Sequence, residues 1–182
     1  MLFDDVCLSA RQIHDAVRDW EREYGVCESS YWVIFELLWR EYFHWAARQE
    51  GRDLFGKRLL PGSSANFLAW CRGKTGMPFI DAAMRELAST GWLSNRARQN
   101  AASFLVRDLN VDWRIGAIWF EHCLIDHDVA SNWGNWRYVA GVGRDPRQCG
   151  FDVHKQAEYY DPDGAYAALW QAPALSTHPE EP

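Results

Sequence analysis

Apolar residues recur at helical spacing from about Ser9 to Trp170, and short Gly or Pro breaks cut this pattern into segments. No stretch keeps the alternate-residue rhythm of a strand, so the pattern predicts an all-α domain. Ser9 followed by Gln12 reads as a capping box that opens a helix ending near Gly25. Ser29 or Ser30 then opens a long apolar helix to about Gly51. The stretch from Gly51 to Gly62 reads as a basic loop. A short helix through Phe67 and Trp70 ends at the GKTGMP segment, and Pro78 is placed to start a helix that stops at Gly91. Further helices are predicted from Asn95 to Leu109, from Trp113 to Ile125 and from about Ser131 to Val142. An irregular stretch holding Pro146 and Gly150 follows, then two short helical pieces. The small, Pro-rich, acidic end APALSTHPEEP, residues 172–182, is expected to be a disordered tail behind a single domain over residues 1–171.

Composition narrows this picture only in part. A chain of 182 residues is long enough for one core that buries roughly 70% of the unfolded surface. Hydrophobic residues at 48% and charged residues at 24% exclude a disordered or collagen-like chain. No apolar run approaches the roughly 20 residues of a membrane span, and the start MLFDDVCLSARQ has no basic region followed by an apolar one. A cytoplasmic location is the expectation. Cys7, Cys27, Cys71, Cys123 and Cys149 lie far apart without a CxxC pair and read as reduced thiols. The net charge of -6 argues against a general nucleic-acid coat while leaving room for local phosphate contacts. The unusual feature is aromatic: 11 Trp, 7 Tyr and 9 Phe, which suit either a site for a flat conjugated ligand or a helical core filled with rings.

Four constellations carry possible chemistry. In FELLWREYF, Glu36, Trp39, Arg40 and Phe43 share one helical stripe. They form either an ordinary i,i+4 ion pair beside aromatics, or a carboxylate, an indole face and a guanidinium set to bind, stack on and anchor a nucleotide base. In SNRARQNAASFLVRDL, Arg96 shares its face with Asn100, Ser103 and Arg107. Arg98 instead turns to the apolar side with Ala101, Ala102 and Leu105, where a guanidinium requires a carboxylate partner. Asp126 and Asp128 in IDHDVASN are read as lying at a helix C-terminus, where the helix dipole disfavours anions and Arg98 is the compensating cation. A metal cluster of His122, Asp126, His127 and Asp128 is weighed and set aside, because no HExxH or comparable spacing is present. In SNWGNWRYVAGVG, Asn132, Trp136, Val139 and Ala140 form a stripe on a Gly-rich helix. Either a bound ring system or a packed helix explains the glycines.

Taken together, FELLWREYF, GKTGMPFIDAAMRELASTGWLSNRARQNAASFLVRDLNVDWR and IDHDVASNWGNWRYVAGVGRDPR resemble the cryptochrome/photolyase family, more specifically its DASH-type cryptochromes, over roughly Leu8 to Trp170. The resemblance covers the later part of that family's helical FAD domain and implies FAD as the cofactor. By the same match, Asn95, Arg98, Asp126, Asp128 and Asn132 correspond to flavin-site positions, and His127 between the two aspartates is grouped with them. Asn132 would face the flavin N5 edge and Arg98 would pair with Asp126. Glu36, Trp39, Arg40, Asn95 and Arg96 match positions that receive a damaged pyrimidine pair and its phosphates. Gln99 and Tyr138 are the residue types of the DASH branch. Trp136 and Trp113 match the first two members of the tryptophan chain that photoreduces the flavin.

The implied activity is photolyase-type. Blue light drives an electron from reduced flavin into a cyclobutane pyrimidine dimer, in DNA that is expected to be single-stranded, and Glu36, Asn132 and the two tryptophans serve the reaction. The sequence departs from the family in three places. No tryptophan stands near Leu60, no Thr/Ser-rich TSxLS phosphate loop precedes CLSARQ, and the family's N-terminal antenna domain is absent, so no antenna chromophore is expected. Charge-assisted bonds contribute roughly 1.5–3 kcal/mol each, so a truncated chain with weakened FAD affinity is expected. Two other readings fit the same residues: a light-sensing or nucleic-acid-binding flavoprotein module without repair, and an inactive truncated fragment.

Overall fold

A computed structural model describes residues 8–56, 62, 64–143 and 150–171. Among these residues there is no strand, and helix follows helix: α1 (Ala10–Tyr24), α2 (Glu28–Glu50), α3 (Ala65–Cys71), α4 (Pro78–Thr90), α5 (Asn95–Ser103), α6 (Trp113–Cys123), α7 (Val129–Val139), α8 (Val153–Tyr160) and α9 (Ala165–Leu169). The Ser9/Gln12 capping box is present and starts α1 as its residues dictate. Pro78 is the first residue of α4, and Gly91 closes that helix in the left-handed conformation, with φ 69°.

Several boundaries differ from the sequence pattern, each for a local reason. Helix α2 starts at Glu28, before Ser29 or Ser30, because Ser30 works from inside the first turn. Its hydroxyl accepts the Cys27 N–H at 3.2 Å and donates to Glu21 at 2.6 Å, tying α1 to α2. The start of the supposed basic loop is a 3-10 turn, Gly51–Phe55, and residues 57–61 and 63 lie outside the described residues. Helix α5 runs α-helically only to Ser103 and widens into a π-helical turn, Phe104–Asp108, in which the Leu109 N–H reaches the Phe104 carbonyl at 3.0 Å. Helix α6 stops at Cys123, two residues short of Ile125, and α7 spans Val129–Val139. The expectations about Pro146, Leu60 and the 172–182 tail fall outside the described residues.

The core gathers around α4, whose Ile80, Ala82, Ala83 and Met84 have no exposure. Trp70 of α3 is also fully buried, and its indole N–H donates to the Ala101 carbonyl of α5 at 3.0 Å. Within the Gly-rich segment, Gly134, the glycine inside α7, serves packing. A Cβ on Gly134 of α7 would sit 2.3 Å from the Phe43 ring of α2, and one on Gly116 of α6 would sit 2.4 Å from the Trp136 ring of α7. These two contacts press α2, α6 and α7 together and fix the walls described next.

Candidate functional site

At one corner of the fold, α5, the turn after α6 and the start of α7 meet. Arg98 enters this corner from α5. Its Nη2 lies 2.6 Å from Asp126 Oδ2, its Nε donates to the Leu93 carbonyl at 2.7 Å, and the two side chains are only 12% and 7% exposed. The pairing required by a buried guanidinium is therefore made. The aspartates do not sit at a helix C-terminus, however. Asp126 lies in the turn between α6 and α7, and Asp128 is the N-cap of α7, where the helix dipole favours an anion. The sequence pattern set the start of α7 too late, and the sign of that local field inverted with it.

Asp128 accepts the Ser131 N–H at 2.8 Å and lies 3.1 Å from Nε2 of His44, which reaches across from α2. Burial raises its pKa, but the Ser131 N–H and hydroxyl and the His44 imidazole outweigh burial and hold the carboxyl below its ordinary value of 3.8. A depressed carboxylate pKa contributes stability above the unfolded-state value and loses it as pH falls through the folded-state value. Acid unfolding of an Asp128→Asn variant, followed by circular dichroism below about pH 4, is therefore expected to show a shallower pH dependence than the parent. Identical acid profiles would contradict this role.

Between these elements lies a narrow cavity of about 50 Å³ that opens to solvent. Asn95, Arg98, Gln99, Asp126, His127, Asp128, Asn132 and Trp136 line it, with Phe120, Leu124, Val139 and Phe151 among its apolar surfaces. The Asn132 amide is fixed by donation to the Ala117 carbonyl at 2.9 Å. Trp136, 2% exposed, packs edge-on against Phe120 at 5.0 Å and Trp70 at 6.2 Å. Four buried polar atoms on this wall have no hydrogen-bond partner: Gln99 Oε1, Asp126 Oδ1 and both ring nitrogens of His127. Buried polar groups in folded proteins are nearly always paired, so such a concentration marks a surface that a polar occupant completes.

A second, wider groove adjoins the first. Its lining includes Phe35, Glu36, Trp39 and Phe43 of α2, and it shares Asn95, Gln99, Asn135 and Tyr138 with the cavity, so these four form a common wall. Aromatic contacts run along α2 into it, Phe35 to Trp39 at 6.2 Å and Trp39 to Phe43 at 5.8 Å. Glu36, Trp39, Asn95, Gln99 and Tyr138 are thus brought together.

Three sequence-chosen residues stand elsewhere. Arg40 pairs with Glu41 at 3.0 Å and lines a different groove, between α1 and α2. Arg96 lies over the Phe151 and Tyr160 rings, at 5.8 and 5.4 Å. Its face is no polar surface, since Asn100 and Ser103 are fully buried and the Ser103 hydroxyl accepts the Phe151 N–H. The ring contact of Trp113 is with Trp133, at 5.7 Å. Sequence reasoning missed His44, Glu121 and Asn135. His44 meets Asp128 across 84 residues, a pairing with no local signal. Among the described residues no three His, Cys, Asp or Glu side chains converge into a metal-binding group, and no helix is long and apolar enough to cross a membrane.

A family model described as the FAD binding domain of DNA photolyase matches residues 32–181. A cryptochrome DASH of Idiomarina loihiensis is 51% identical over 172 residues, covering 90% of this chain and 38% of that protein. The crystal structure of a Synechocystis cryptochrome superposes with a TM-score of 0.84 at 46% identity, covering 90% of this chain and 36% of that one. A Sulfolobus tokodaii photolyase solved with two FAD molecules gives a TM-score of 0.74 at 35% identity, over 85% and 37% of the two chains. The chain spans little more than a third of the length of these relatives. With half of its residues shared with the DASH cryptochromes and an all-helical fold in common, the chain belongs to the photolyase/cryptochrome family as part of its FAD-binding domain.

Proposed function

We propose that this chain carries the reactive site of a DASH-type photolyase, with fully reduced FAD in the cavity and a cyclobutane pyrimidine dimer of single-stranded DNA in the adjoining groove. The observation that carries this reading is that the cavity and the groove share Asn95, Gln99, Asn135 and Tyr138, so that their occupants would lie side by side. The lining suits the cofactor's chemistry: apolar rings for a flat tricycle, and unpartnered Gln99, Asp126 and His127 atoms for its polar edge. Bound FAD supplies the chemistry, a light-driven electron that splits the cyclobutane ring and is recovered afterwards.

The protein's own work is positioning. Arg98, locked to Asp126, sets a fixed positive charge beside the cavity, and Asn95, Asp128 and Asn132 orient the ligand. Trp136, in the cavity wall, is the first electron relay and Trp113 the second. Glu36 accepts hydrogen bonds from a base edge, and Trp39 stacks on it. The free thiols of Cys27, Cys71 and Cys123 fit a reducing compartment such as the cytoplasm.

The test is dimer loss from a single-stranded oligothymidine under blue light, read by chromatography with the FAD-loaded chain. Loss that needs both light and FAD, and that falls about tenfold in Trp39→Ala, is the expected result, since stacking on one base contributes about 1–3 kcal/mol. Unchanged dimers in the presence of bound FAD would contradict repair and favour light sensing.

A further inference from the structure

The His127 imidazole stands apart from the other polar groups of the cavity. It lines the wall, and both of its nitrogens are buried from water without a hydrogen-bond partner. Yet Nε2 lies 3.9 Å from Oε2 of Glu121, whose side chain is 44% exposed. That carboxylate is aimed by the Trp133 indole N–H, which donates to the same oxygen at 2.9 Å. A separation of 3.9 Å is one small side-chain rotation, or one bridging water, from hydrogen-bonding range.

Each neighbouring carboxylate already holds a partner, although Asp126 Oδ1 stays open to the cavity. Asp126 is held by Arg98, and Asp128 takes the Ser131 N–H and the His44 imidazole. Asn95, Gln99 and Asn132 are amides that carry no exchangeable acid. His127 alone among these has one nitrogen to take a proton and another to give one, and it lies 3.9 Å from a carboxylate that reaches solvent.

We propose that His127 is the proton conduit between the solvent-exposed Glu121 and the flavin cavity, an inference that rests on the cavity being a flavin site. Oxidation of anionic reduced flavin releases two electrons and one proton. A one-electron oxidant such as ferricyanide takes the electrons, two equivalents for each flavin. The flavin N–H bond breaks and a ring nitrogen of His127 accepts the proton. The imidazole's other nitrogen passes a proton to Glu121, and Glu121 passes it to water. Reduction runs the same path in reverse.

The experiment mixes the chain, loaded with reduced FAD, anaerobically with excess ferricyanide in weakly buffered solution. Flavin absorbance reports electron loss and a pH-indicator dye reports the proton, with both rates expressed per bound flavin. In the parent, proton release is expected to keep pace with flavin oxidation. In His127→Phe and Glu121→Gln proton release is expected to slow at least about a hundredfold, the lower end of what a positioned acid–base group contributes, and complete oxidation of the flavin to slow with it, because that oxidation requires the N–H bond to break. Free imidazole in the buffer is expected to restore the rate of His127→Ala, a rescue that a packing role would not give. Proton release and flavin oxidation as fast in the variants as in the parent would overturn the conduit while leaving the flavin site standing. A parent that takes up no FAD would overturn the flavin reading, and the conduit with it.

Discussion

Replacing Asp126 with Asn is expected to lower stability by about 3–5 kcal/mol, because it strands the Arg98 guanidinium in a site where that side chain is only 12% exposed. The hydrogen bond to the Leu93 carbonyl remains, and an amide oxygen in place of the carboxylate accepts without balancing the charge. For a chain of this length such a loss lowers the melting temperature by roughly 6–20 °C. Flavin retention is expected to fall with it, since the fixed charge pair and the unpartnered Asp126 Oδ1 both belong to the cavity wall. Thermal unfolding by circular dichroism and flavin content after gel filtration measure the two effects. The double variant Arg98→Met with Asp126→Leu separates them. A well-packed apolar pair is expected to recover most of the stability, while FAD retention stays low. An Asp126→Asn protein with unaltered melting temperature and flavin content would contradict the assigned role of the pair.

The second large effect is expected at Trp70, whose truncation to Ala lowers stability by about 3–5 kcal/mol. Its ring touches Phe67, Phe120 and Trp136, and its N–H holds the Ala101 carbonyl. Because Trp136 and Phe120 line the cavity, the void left behind lets that wall relax, so FAD affinity is expected to drop along with stability. Trp70→Phe retains a ring in the same place and is expected to lose less of both. Denaturant unfolding and FAD titration of the two variants give the ordering. Equal losses in Phe and Ala would mean that ring packing at this position does not support the cavity.

How much of this was legible in the sequence depended on whether the cause was local. The Ser9/Gln12 capping box, Pro78 as a first helical residue and Gly91 as a terminator act within a few residues, so the pattern carried them. The need of Arg98 for a carboxylate followed from its position among alanines and Leu105, although the identity of the partner came through the family motif. What the pattern could not carry was tertiary. The π-helical turn at Phe104–Asp108 breaks the 3.6-residue period without any Gly or Pro to announce it. Asn100 and Ser103 look like a solvated face, but α8 and the Phe151 segment cover them. The stripe of Glu36, Trp39, Arg40 and Phe43 is real as helical geometry, yet the groove takes three of the four and leaves Arg40 to the α1 side. The Asp128 error shows how a helix boundary misplaced by two residues turns an unfavourable dipole into a favourable one.

The most direct test of the central claim is a titration of the purified 182-residue chain with FAD, read by quenching of flavin fluorescence and by the absorbance that survives gel filtration. One bound FAD per chain is expected in the parent, with binding weakened in both Asp126→Asn and Trp70→Ala. A parent chain that folds, remains colourless after incubation with excess FAD and quenches none of its fluorescence would contradict it.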